Sequence, residues 1–258
     1  MKVEIFYVDA FTDVKFSGNP AAIIFSGLND ENIMQQIASE NNLSETAFID
    51  LDNNNNIRWF SPSTEVNLCG HATLASAFIY FNYINQGSSN ITFNSASGPL
   101  HVYKKKDFLQ LDFPKDKYEK VNLFDDVEES LGAKPIEIHK GEINLLAIFE
   151  KTDFVNINPQ FEKIKNLTGQ GLIVSSIDDK YDFISRYFCP KYGINEDPVT
   201  GSAHTTLIPY WSDKLGKNEL VAKQVSKRGG ELYCINGDDR VLIGGNACLY
   251  MRGFIDLN

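Results

Sequence analysis

Metal-type cysteine spacing, long apolar runs and an excess of positive charge are all missing from this chain of 258 residues. Its four cysteines, Cys69, Cys189, Cys234 and Cys248, form no C-x-x-C pair or other metal-type spacing, so no thiolate metal site is expected from spacing and the thiols read as free, in a cytoplasmic protein. No stretch of about 18 apolar residues occurs, which excludes a membrane-spanning helix. Met1-Lys2-Val3-Glu4 leads into a short strand pattern rather than a long apolar run, so no signal peptide is expected. Lysine and arginine number 24 against 34 aspartates and glutamates, a formal net charge of -10. That balance argues against nucleic acid or an anionic membrane face as partner.

What the chain does contain is a substantial apolar fraction, 43%, and a repeat. Arg58-Trp59-Phe60-Ser61-Pro62 runs on to Cys69-Gly70-His71-Ala72-Thr73-Leu74, and Arg186-Tyr187-Phe188-Cys189-Pro190 runs on to Thr200-Gly201-Ser202-Ala203-His204-Thr205. Arg186 follows Arg58 by 128 positions, whereas Gly201 follows Gly70 by 131, as if three residues had been added between. Ser97-Gly98-Pro99-Leu100 is answered by Gly229-Gly230-Glu231-Leu232. Two similar halves imply a cleft between lobes, with a Gly-polar turn brought to it by each. The boundary is placed near Phe113-Pro114-Lys115: an N-terminal lobe of residues 1–114, a C-terminal lobe of residues 115–246, and a last strand, from Ala247, able to join either.

Along the first half, Val3 to Ala10, Ala21 to Phe25, Glu45 to Ile49 and Ile57 to Phe60 read as strands, with Asn53 to Asn56 as a hairpin turn. Asp30 caps a helix whose apolar face is Ile33, Met34, Ile37 and Ala38. Gly70 to Ile84, apolar on nearly every side, reads as a helix enclosed by sheet, with Gly87 as a left-handed stop. In the second half Asp125 to Leu131 and Pro159 to Leu167 read as short surface helices, the latter capped by Asn158 with Pro159 in the first helical position. Leu172 to Ser175 and Phe183 to Phe188 read as strands, and Ser202 to Leu215 as the second central helix, with Pro209 inside it as a kink and Gly216 at its end.

The chemistry gathers at the repeated turns. The first amides of a helix lack intrahelical partners, and the helix dipole lies behind them, so helices opening at Gly70 and Gly201 can each hold a carboxylate. Each glycine is equally readable as plain turn punctuation, and the duplication sets the anion site beside that reading. Cys69 is readable as an inert buried thiol or as one acidified by the helix start. His71, with an ordinary pKa near working pH, is the best-placed titratable group, or else a packing histidine. Asp197 opens Asp197-Pro198-Val199-Thr200 and suits an Asx-Pro turn. Glu45, in Asn42-Leu43-Ser44-Glu45-Thr46-Ala47-Phe48, is a carboxylate in a stretch that otherwise wants burial, which would raise its pKa and suit it to proton transfer.

Taken in order, DAFT…GNPAAI, NLSETAF, RWFSPSTEVNLCGHATLASA, the SG-x-L strand start and DPVTGSAH cover nearly the whole chain and resemble the PhzF family of phenazine-biosynthesis isomerases. The resemblance implies an α+β, diaminopimelate epimerase-like fold: two pseudo-symmetric lobes, each a central helix wrapped by mixed, mostly antiparallel sheet. It also implies a homodimer that needs neither metal nor organic cofactor. The family's general acid/base falls on Glu45, its assisting histidine on His71, its aspartate on Asp197 and its serine on Ser202, with Gly70, Gly201, Cys69 and Thr200 beside the substrate. The wider superfamily includes racemases with a cysteine before each Gly turn. Here the second position is Thr200, whose hydroxyl cannot replace a thiol acid, so a two-thiol mechanism does not fit. The expectation is a cofactor-independent biosynthetic isomerase acting on a small anionic metabolite. An amino-acid racemase using Cys69 and a non-catalytic metabolite-binding protein are the alternatives.

Overall fold

A computed structural model describes residues 1–257. Strand-forming residues set the opening: β1 (Lys2–Ala10) and β2 (Asn19–Phe25) pair antiparallel, joined by a loop that turns at Gly18. Helix α1 (Glu31–Asn41) starts where the Asp30 carboxylate accepts the amides of Asn32 and Ile33, and stops at left-handed Asn42. It returns the chain to β3 (Glu45–Asp50), which lies parallel to β2 with Ala21 opposite Glu45. Asn54 and Asn55, at φ 55° and 53°, then turn β3 into β4 (Asn56–Phe60). A short β5 (Glu65–Val66) leads to the buried helix α2 (Gly70–Ile79), followed by β6 (Asn90–Ser95), β7 (Gly98–Lys104) and β8 (Leu109–Pro114).

The second half repeats this pairing with other residues. It runs β9 (Glu119–Lys120), α3 (Phe124–Leu131), β10 (Glu137–Lys140) and β11 (Leu145–Ile148), then α4 (Lys151–Phe154), α5 (Phe161–Ile164) and β12 (Leu172–Ser176). Next come β13 (Phe183–Cys189), β14 (Ile194–Asp197), α6 (Gly201–Leu215), β15 (Glu219–Gln224) and β16 (Gly230–Asn236). β17 (Arg240–Gly245) and β18 (Ala247–Asp256) close the chain. The sequence β1-β2-β3-β4 is antiparallel, parallel, antiparallel, and so is β10-β11-β12-β13. Each parallel step needs a crossover, which α1 supplies once and α4 with α5 the other time.

Two compact units result: Met1–Asp112 together with the segment from Ile243 onward, and Phe113–Leu242. In the first unit β18 pairs antiparallel along β1, with Val3 opposite Ile255. Its α1 face, Met34, Ile37 and Ala38, packs on Ile24, Phe48 and Phe60. In the second, Val127 and Leu131 of α3 and Ile164 of α5 pack on Leu145, Leu172 and Phe188. An arginine serves each unit alike. Arg58 Nε binds Glu65 at 2.7 Å with its guanidinium 5.1 Å from the Phe60 ring, and Arg186 Nε binds Glu196 at 2.7 Å, 4.8 Å from Phe188.

The structure corrects two helix ends. Beyond Ile79 the chain takes one wide turn, Tyr80–Ile84, closed by the Asn85 amide on the Tyr80 carbonyl at 2.7 Å. The side-chain amides of Asn82 and Gln86 take the Phe78 and Asn82 carbonyls, so the last acceptors are satisfied without a left-handed glycine, and Gly87 is not one. Asn158 is not a cap, nor Pro159 a first helical residue. The amides of Asn158 and Gln160 instead bond the Leu131 and Ser130 carbonyls at the end of α3, which delays α5 until Phe161. Pro209 lies inside α6, which ends at left-handed Gly216. No helix among the described residues is long and apolar enough to cross a membrane.

Candidate active site

In the first unit the site is assembled from one strand start and one helix start. Glu45 opens β3 and keeps its side chain 15% exposed. Cys69, in extended conformation at φ -141° and ψ 107°, is the cap of α2. Its carbonyl is held twice by Thr73, through the amide at 3.2 Å and the hydroxyl at 2.6 Å. His71, buried in the first turn, places Nε2 3.2 Å from Glu45 Oε2, while Nδ1 lies 3.5 Å from Cys69 Sγ. Thiol and carboxyl both lie against the imidazole, the sulfur 3.5 Å from Nδ1 and 4.0 Å from Nε2.

Burial pushes the His71 pKa down to about 3. At that value the ring is neutral at working pH, with one nitrogen donating and the other accepting. If Nε2–H donates to ionised Glu45, Nδ1 accepts from the thiol. If Glu45 carries the proton and donates to Nε2, Nδ1–H faces sulfur. Either tautomer leaves a neutral ring beside the Glu45 carboxyl. Glu45, Cys69 and His71 present side-chain donor atoms all within 4.8 Å of one another.

In the second unit the equivalent turn is built on hydrogen bonds. Thr200 caps α6 in the extended conformation of Cys69, at φ -118° and ψ 103°. Its hydroxyl donates to Asp197 Oδ2. Gln224, wholly buried on β15, binds three points at once: Nε2 to the Asp197 carbonyl at 2.8 Å and to Thr200 Oγ1 at 3.1 Å, and Oε1 to the Thr200 amide at 2.8 Å. His204 Nδ1 reaches the Thr200 carbonyl at 2.8 Å, as Thr73 reaches that of Cys69, and burial pushes its pKa down to about 4. Ser202 is half-buried in the first turn of α6. Gly70 and Gly201 each open a helix of more than two turns, whose first amides can bind an anion.

The structure thus brings Glu45, Cys69 and His71 together in one unit, and Asp197 and Thr200 together in the other. Sequence reasoning missed Gln224, Thr73 and His204. Gln224 had a signal: Leu220, Ala222 and Gln224 are the buried alternate positions of β15, and an amide on an inward position asks for buried partners.

The chain is similar to known proteins over its whole length. A crystal structure of a PhzF-family phenazine biosynthesis protein from Enterococcus faecalis superposes with a TM-score of 0.96 at 44% identity, covering 100% of both chains. A probable proline racemase from Agrobacterium radiobacter matches at a TM-score of 0.66 and 10% identity, over 99% of this chain and 93% of its own. That likeness shows the fold, the α+β diaminopimelate epimerase-like one. A Pseudomonas aeruginosa protein named as an uncharacterized isomerase is 43% identical over 260 residues, 100% of each chain. Residues 8–253 match the family described as phenazine biosynthesis-like protein, PhzC-PhzF, and the chain belongs to that family.

Proposed function

We propose that this protein is a cofactor-independent biosynthetic isomerase that moves a proton between carbons of a small carboxylate-bearing metabolite, with Glu45 as general acid/base. The contact of Glu45 with a neutral, buried His71 at 3.2 Å carries the reading. A base must gain and then give up one proton without reorganising, and an imidazole that matches either carboxyl state by tautomer provides that. In the proposal ionised Glu45 takes a proton from substrate carbon, holds it as the carboxylic acid donating to Nε2, and delivers it to a second carbon. The first amides of α2, which opens beside Glu45 in the same unit, bind the substrate carboxylate and stabilise charge as the C–H bond breaks. Asp197 and Ser202 bind or orient, with Asp197 fixed by Thr200 and Gln224.

A second reading, an amino-acid racemase, is favoured by the Cys69 thiol at 3.5 Å from His71 Nδ1, where the ring can accept its proton. Incubation with a metabolite mixture in deuterated water separates the two. Glu45→Gln is expected to lower deuterium incorporation into the turned-over metabolite by about 100-fold or more, while Cys69→Ser keeps most of it. Full activity in Glu45→Gln would refute the proposal, and inversion with label lost only in Cys69→Ser would establish the racemase.

A further inference from the structure

We propose that the exposed face of β18 is an interaction surface on which a second copy of this chain docks, anchored by Phe16, Tyr250 and Phe254. β18 is a strand of ten residues, seven of them apolar. None of the ten is buried, and among the described residues every other strand longer than four has a buried position. A strand that covered a core on one face would alternate buried and open residues. Here Tyr250, Met251 and Arg252 are exposed in succession, so both faces are open at that point.

Two departures from regular backbone build the surface. The β1 ladder slips by one residue between Tyr7 and Val8, whose partners are Met251 and Leu249, so Tyr250 is the extra residue of a bulge. In the loop between β1 and β2, Phe16 stands at φ 69°, a left-handed conformation rare for a residue with a Cβ. Its amide donates to the buried Asp9 carboxylate at 2.9 Å, which holds it there. The Phe16 and Tyr250 rings then meet edge to face at 5.6 Å. Further along the strand the Arg252 guanidinium lies 5.7 Å from the Tyr83 ring and binds Glu4 at 2.6 Å. Phe254, two positions on, shares its side of the strand. Backbone strain that turns rings toward water calls for a partner that covers them.

Area, charge and symmetry select the occupant. Phe16 and Phe254 are 69% exposed, Val14 60%, Tyr250 53% and Tyr83 40%. At about 200 Å² for a whole aromatic side chain, these five leave about 550 Å² open, near the upper end for apolar patches on monomers. Two such faces pressed together bury about 1,100 Å², just above what a specific interface needs. An apolar face is its own complement, as a two-fold interface requires. The charges around it, Lys15 and Arg252 against Glu4, Asp13 and Asp256, are of mixed sign and offer no field to a charged partner. With a net charge of -10 the chain is repelled by an anionic membrane. At this small area the dimer is reversible, with an expected Kd of about 1–100 μM. It does not depend on the isomerase reading.

Sedimentation of the purified full chain from about 1 to 200 μM tests it. A shift from monomer to dimer mass over that range is expected in the native chain and in Val155→Glu, which alters an exposed side chain of the second unit. Tyr250→Glu and Phe254→Glu are each expected to weaken association at least about tenfold, and the two together to leave monomer throughout. A native chain still monomeric at about 200 μM, or a dimer of undiminished affinity in the double variant, would overturn the surface. A native monomer that binds vesicles of neutral phosphatidylcholine would give the face to a membrane and likewise overturn the dimer. Should the glutamate variants not fold, hydroxyl-radical footprinting of the native chain decides. Protection of Tyr250 and Phe254 that is lost on dilution supports the docking, and equal labelling at high and low concentration overturns it.

Discussion

Gln224 shows how much one side chain can hold. Its amide is satisfied by the Asp197 carbonyl, the Thr200 amide and the Thr200 hydroxyl, with Gln224 and Thr200 buried and Asp197 half-buried. Gln224→Leu would keep the volume and strand these groups, and a buried donor or acceptor without a partner costs about 1–3 kcal/mol. Chemical denaturation is expected to show a loss of about 2–4 kcal/mol, more than a surface glutamine would cost. A loss under about 0.5 kcal/mol would show that water reaches the site. At this scale the sequence carried part of the answer. Glu45 and His71 stood out as types, but their contact needed the parallel register of β2 and β3, with Ala21 opposite Glu45, which no local pattern encodes. The fall of the His71 pKa is likewise a property of burial, and burial on a helix apolar all round is visible in sequence only as a tendency.

Elements were legible where their punctuation is local. Asp30 and Asn42 bound α1, Gly216 ends α6, and the asparagines 54 and 55 turn a hairpin, all through short-range bonds or left-handed backbone. Reading failed where a distant partner competed. Asn158 has the chemistry of a cap, yet its amide is drawn to Leu131, and Gly87 could stop a helix that side-chain amides had already closed. The loop between β1 and β2 carries the strongest steric demand at this scale. A Cβ on Gly18, at φ 66°, would lie 2.2 Å from the Ala10 carbonyl oxygen, which is rigid strand backbone. Gly18→Ala is expected to lower the melting temperature by at least about 4 °C, an effect of more than about 2 kcal/mol. An unchanged melting temperature would mean the loop has another conformation of equal energy.

For the whole molecule, each unit keeps a neutral histidine under its central helix start, and this sets its behaviour in acid. His71 and His204 are pushed down from 6.5 to about 3 and about 4, so between those values the unfolded chain binds protons that the native chain refuses. Stability is therefore full above pH 6.5 and is lost as pH falls, by about 1.4 kcal/mol per pH unit for each histidine. Between pH 6.5 and about 5, above the range of ordinary carboxylates, the melting temperature is expected to drop. His204→Gln, which keeps a donor for the Thr200 carbonyl, is expected to remove about half of that slope. A flat profile over this interval would contradict the buried neutral state.

The pairing of β1 with β18 has a further consequence. Lys2 faces Asp256 and Ala10 faces Ala247 across the ladder, whereas the unit from Phe113 to Leu242 is continuous in the chain. On a ribosome, every residue of the second unit has been made as soon as Leu242 has emerged. The first must wait, with β1 lacking one neighbour, until the residues from Ile243 onward are made. Synthesis thus finishes the halves in the reverse of their order in the sequence, and the strand bearing the Glu45 carboxylate belongs to the half completed last.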